Sequence, residues 1–162
     1  MIHHERGVEV TLSATQTAFV EKYYSMAKSA ADVLGISPKI VLSQWALESA
    51  WGTAPMVKGY NLAGIMATGG NFPAQYTSFI AFLRDYVHWM KELNPLILHA
   101  PTSVVINVYD VFEGTKWNPN PDYAKKIASV LPTVNEVMYV LGKKYISQIV
   151  GIVQMIAEGG LL

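Results

Sequence analysis

The chain has no cysteine, which excludes disulfides and thiolate metal sites and leaves the redox compartment open. Charge is scarce too: 15% of the 162 residues are Asp, Glu, Lys or Arg, against about a quarter in an average soluble domain. The 12 basic and 12 acidic residues cancel, so no net field steers the chain to nucleic acid or to an anionic surface. Any polymer it binds is held by shape and aromatic contact. No repeat or low-complexity segment occurs. Lys143, Lys144, Gln148, Gln154 and Glu158 interrupt the apolar C-terminal stretch, so no run approaches the roughly 18 apolar residues of a membrane span. The opening residues MIHHERGVEV are polar where a signal peptide needs an apolar core, which predicts synthesis in the cytoplasm without Sec export. The adjacent pair His3 and His4 is not expected to bind metal, and no cofactor is implied.

What remains is apolar. Hydrophobic residues make up 51% of the chain, and this length suits one domain burying about 70% of its unfolded surface. Ser13 and Gln16 form a capping-box pattern before a helix that keeps apolar spacing from Ala18 to Leu34 and ends at Gly35. Ser37 and Pro38 open a second helix that stops at Gly52. Residues 52–74 are rich in Gly, Asn, Thr and Pro, and the only strand-like pieces here are short, around 63–66 and 75–77. Ser78 caps a third helix through Leu93, on which Asp85 is a candidate to tie down a neighbouring loop, and Thr102 caps a fourth running to Phe112. The prolines of residues 114–123 force extended backbone. A further helix starts at Asp122 and is expected to stop at Pro132, followed by a last helical stretch broken near Gly142. The expected organisation is an arm at 1–12, a main domain at 13–132, and a helical extension at 133–162 packed on the same domain or serving as an oligomer interface.

The most informative stretch is VLSQWALESAWGTAPMVKGYNLAG, residues 41–64. It sets one carboxylate, Glu48, near the end of an apolar helix between Trp45 and Trp51. An acid held against indole and aliphatic surface loses hydration, which raises its pKa and keeps a proton available near neutrality. A solvated charge at a helix end is the plain alternative.

Three ordered pieces decide between them: ALESAWGTA, then NLAGI, then NPNPDYAKKIASVL. Together they resemble the glucosaminidase family of peptidoglycan hydrolases, from the first helix through Leu131. The resemblance implies an α+β, predominantly helical, lysozyme-like domain with a small, reduced β-lobe, here with an extra C-terminal helix. It implies that Glu48 is the general acid protonating the glycosidic oxygen and that the partner is a peptidoglycan glycan strand; a lytic domain without a Sec signal is expected to meet it in the periplasm or outside the cell, as a phage lysin, a virion component or a secreted effector. Asn61 falls on the family's Asn, as a substrate contact or a turn former. Tyr123 falls on its YA tyrosine, to bind sugar, orient Glu48 or pack in the core.

Two departures stand out. Trp117 replaces a family tyrosine; its indole can stack on a sugar but has no acceptor oxygen. Glycosidases usually pair two acids, yet residues 52–77 contain neither Asp nor Glu. Asp110, Glu113 or Asp122 would then approach from across the cleft, or the substrate's 2-acetamido group would act as nucleophile, or a 1,6-anhydro product would form without water. A mechanism with one protein carboxylate is preferred, with Thr68, Asn71, Gln75, Tyr76 and Thr77 orienting sugar or water. The expected function is an N-acetylglucosaminidase or muramidase; the alternative is a catalytically silent wall-binding or structural module.

Overall fold

The computed structural model describes residues 11–94, 97 and 107–159. Helix α1 spans Ala14–Leu34 and α2 spans Pro38–Glu48; a 3-10 turn follows at Pro55–Gly59, then α3 at Phe79–Leu93, α4 at Val108–Phe112 and α5 at Tyr123–Ala157. The first caps form as the sequence predicts. The Ser13 and Gln16 side chains exchange bonds with each other's backbone N–H groups, and Gly35 ends α1 in the left-handed conformation. Ser37 caps α2 with Pro38 in its first turn.

Helix α2 is the centre of the fold. Seven consecutive residues, 40–46, are buried, and a helix that is covered all round must have neighbours on every side. Helices α1 and α5 pack against it, while α3 contributes Phe82 and Tyr86, whose rings meet Trp45 edge-on at 5.4 and 5.2 Å. Sequestering these aromatic side chains stabilises the body by about 2 to 3 kcal/mol each.

The β-lobe is more reduced than two short strands. Among the described residues its only pairing is an isolated antiparallel bridge between Met66 and Pro73, and the 3-10 turn was not anticipated. Asp85 does anchor this lobe, accepting a bond from the Tyr76 hydroxyl at 2.5 Å.

Pro132 does not stop a helix, nor is there a break at Gly142: α5 runs through both for 35 residues. The Pro132 ring is exposed, so the backbone bond it cannot make is missing on the solvent side, where water can serve the free carbonyl. The neighbouring Ile127, Val134 and Val137 are buried, and their packing outweighs that one lost bond. The extension is buried only as far as Leu141 and makes its last contact with α1 through the Tyr145 hydroxyl, which donates to Glu21 at 3.1 Å; from Lys143 to Gly159 every residue is exposed. The arm at 1–12 lies largely, and the cap at Thr102 wholly, outside the described residues; α4 is capped by Asn107, whose side chain accepts from the Tyr109 N–H.

Candidate active site

Glu48 is the last residue of α2. Immediately beyond it the chain reverses: the Ser49 hydroxyl donates to the Trp45 carbonyl at 2.6 Å and accepts from the Gly52 N–H at 2.9 Å, while Ala50, Trp51 and Gly52 all have positive φ. This turn leaves Glu48 at the edge of the core, half-buried. Burial raises its pKa, and a hydrogen bond from Tyr123 partly offsets the rise. The two tryptophans face elsewhere: Trp45 meets Phe82 and Tyr86, and Trp51 meets Phe19.

Tyr123 is placed by the proline segment. Asn118 Oδ1 accepts from the Asn120 N–H, and Asn120 Oδ1 from the Asp122 N–H, both at 2.9 Å. These consecutive Asx turns start α5 with Tyr123 at its first position. Its ring is buried edge-on to Phe112, and its hydroxyl donates to Glu48 Oε1 at 2.6 Å. The same oxygen accepts from Gln44 Nε2 at 3.1 Å, and Gln44 Oε1 accepts from the Tyr86 hydroxyl at 2.7 Å. Gln44 and Glu48 are four residues apart and share a helix face, so one tyrosine oxygen spans both. Burial holds the Tyr86 and Tyr123 phenols far above their ordinary range, keeping them protonated.

The other carboxylate oxygen, Oε2, lies against Gly64. A Cβ at that position would sit 3.0 Å from Oε2, and the φ of +68° there is one that only glycine adopts freely. Gly64 also lines a cleft of about 230 Å3 with Met66, Trp89, Leu93 and Trp117. Two indoles and a methionine thus wall a cleft that shares Gly64 with the acid.

The remaining predicted residues fall differently. Asn61 is fully buried, and its amide is spent on the lobe: it donates to the Ile65 and Ala74 carbonyls and accepts from the Ala63 and Ile65 N–H groups. It shapes the turn that carries Gly64 and has nothing left for a sugar. The Tyr76 hydroxyl is committed to Asp85. Gln75 is exposed and lines a separate groove with Lys58 and Phe72. Asp110, Glu113 and Asp122 are exposed, and none of them contributes to the shift at Glu48. The described residues contain no cluster able to hold a metal ion.

Gln44, Tyr86, Gly64 and Trp89 were not assigned a role from the sequence. Gln44 alone had a usable signal, as an amide inside an otherwise apolar helix that must find partners once buried.

A lysozyme-like helical domain with one sequestered acid beside an aromatic cleft is the class that fold and site define. The chain belongs to the Glucosaminidase family, described as mannosyl-glycoprotein endo-beta-N-acetylglucosaminidase, which it matches over residues 24–156. It is 29% identical over 134 residues to a probable N-acetylmuramidase of Lactococcus lactis subsp. cremoris, covering 79% of this chain and 29% of that protein. A second probable N-acetylmuramidase, from Lactococcus lactis subsp. lactis, is 28% identical over 144 residues, covering 85% and 31% respectively. The chain therefore spans about a third of the length of these curated relatives. In fold it is similar to the glycoside hydrolase domain of Salmonella typhimurium FlgJ (TM-score 0.64, 20% identity, 84% of this chain and 98% of that one). It is likewise similar to a peptidoglycan hydrolase from Sphingomonas sp. A1 (TM-score 0.63, 21% identity, 76% and 94%).

Proposed function

We propose that this chain hydrolyses the glycan strand of peptidoglycan, with Glu48 as general acid. The observation that carries this reading is the environment of Glu48: half-buried, bonded through Oε1 to a buried tyrosine, with Oε2 against a cleft-lining glycine. Burial favours the protonated acid, and Oε2 is the oxygen beside the cleft where a glycosidic oxygen would receive the proton. Membership of the family and the names of the relatives support the substrate class.

Trp117 and Trp89 would hold a sugar ring in the cleft, and the 2-acetamido group or a water would complete the reaction in place of a second protein carboxylate. This completion is favoured because residues 52–77 contain neither Asp nor Glu, and Asp110, Glu113 and Asp122 are exposed. The site of action would be the bacterial cell wall, reached as a lysin, virion component or secreted effector. No helix among the described residues is long and apolar enough to cross a membrane.

Mass spectrometry of muropeptides released from purified peptidoglycan tests the proposal. New ends at N-acetylglucosamine or N-acetylmuramic acid, produced by the wild type and absent with Glu48→Gln, are the expected result, and the mass of the new end reports whether water was added. No release by the wild type would favour a silent wall-binding module.

A further inference from the structure

The site contains two buried polar groups that would touch no substrate, Gln44 and Tyr86, and both lead to Glu48. We propose that Gln44 and Tyr86 are positioning residues that fix the direction of a hydrogen-bond chain, committing the Tyr123 hydrogen to Glu48 Oε1 and leaving the transferable proton on Oε2. This rests on Glu48 being the acid, and adds how its two oxygens are told apart.

The direction follows from the groups present. Tyr86 is fully buried and its oxygen lies 2.7 Å from one terminal atom of Gln44; the Tyr123 oxygen lies 3.1 Å from the other. The shorter separation suits O–H···O and the longer N–H···O. Reversing the amide would make its NH2 group donate to Tyr86 and strand the phenolic hydrogen in the core, a buried donor without a partner. The indole of Trp45, packed on Tyr86, carries a buried N–H with no acceptor in hydrogen-bonding geometry. It offers Tyr86 a donor but no acceptor.

With the amide held this way, Nε2 occupies a lone pair of Tyr123, and the single Tyr123 hydrogen goes to Glu48 Oε1. Oε1 then accepts, so the carboxylic acid hydrogen resides on Oε2, beside Gly64 and the cleft. As Oε2 releases its proton to the leaving oxygen, the Tyr123 bond to Oε1 becomes charge-assisted and strengthens, so the chain favours the transition state over the ground state. In the reversed chain Tyr123 would donate to Gln44 and draw the acid hydrogen of Glu48 toward itself, away from the substrate.

The experiment compares Tyr86→Phe and Gln44→Leu with the wild type on soluble glycan strands, reading kcat, KM, the pH profile and Tm, each also in a Tyr123→Phe background. Expected are a fall in kcat of about tenfold with KM little changed, smaller than the loss of a donor touching the reacting group. The alkaline limb should move to higher pH, because a Tyr123 hydroxyl no longer held as a donor can accept the acid hydrogen of Glu48, which favours the protonated acid. Neither change should lower kcat again once Tyr123 is Phe. Packing defects alone would lower Tm and leave the limb in place. Unmoved kcat and limb in folded variants, or losses that simply add in the Tyr123→Phe background, overturn the proposal. Tyr86→Phe removes a single oxygen and carries the test should Gln44→Leu not fold. An active Glu48→Gln variant would instead overturn the assignment of the acid, so the two failures are distinguishable.

Discussion

Tyr123 and Glu48 are 75 residues apart in the chain and joined by a 2.6 Å hydrogen bond from the phenol to Oε1. The bond links the first residue of α5 to the last residue of α2. The acid is thereby held where two helix ends meet, between the core, which desolvates it, and the lobe, which supplies Gly64.

Replacing Glu48 by Gln keeps the shape and removes the proton, so glycan cleavage should fall by about 10²- to 10⁴-fold. Stability should respond in the opposite sense. Burial raises the Glu48 pKa above its ordinary 4.5, so the native state binds the proton more tightly than the unfolded chain and loses stability as pH rises through that window. Thermal melts should show Glu48→Gln level with the wild type at pH 4 and above it at pH 7. A lower Tm at pH 7 would contradict the desolvated setting.

Tyr123→Phe removes the one interaction that lowers the Glu48 pKa. The alkaline limb of the pH–rate profile is expected to shift upward while kcat falls at least tenfold. A limb that moves down would show that the phenol does not donate to the acid.

Gly64→Ala should cost about 1 to 2 kcal/mol from the positive φ alone. It should also abolish most activity, because the new methyl would lie 3.0 Å from Oε2. Circular dichroism would show a folded protein; full activity in that variant would separate Gly64 from the reaction.

Trp117→Ala and Trp89→Ala strip the walls of the cleft. Each is expected to raise KM about tenfold or more, as loss of a buried aromatic anchor does, with a smaller effect on kcat. Trp117 also packs edge-on against Tyr86, so its variant should be the less stable in a denaturant titration.

Beyond Gly142, Ile146, Ile149, Val153 and Ile156 repeat at three- and four-residue spacing and are all exposed. We expect a second copy of the chain to cover this stripe, as heptad spacing favours. Light scattering should find an oligomer for the full chain and a folded monomer for one ending at Gly142, because Leu141 is the last buried residue of α5. A monomeric full chain would refute it.

Local chemistry made much of this protein legible. The caps at Ser13 and Ser37 and the turn at Gly35 depend on groups within a few residues of one another, and such patterns survive in a one-dimensional string. Pro132 misled because its local cost is real but is outweighed by Ile127, Val134 and Val137, whose burial depends on helices far away in sequence. Asn61 looked equally suited to turn or substrate until the fold spent all of its hydrogen bonds on the lobe. Glu48 as the candidate acid was legible in the sequence only through a family resemblance. What only the tertiary structure decides is how its two oxygens differ, because Oε1 and Oε2 become different atoms when Tyr123 reaches one of them and Gly64 meets the other.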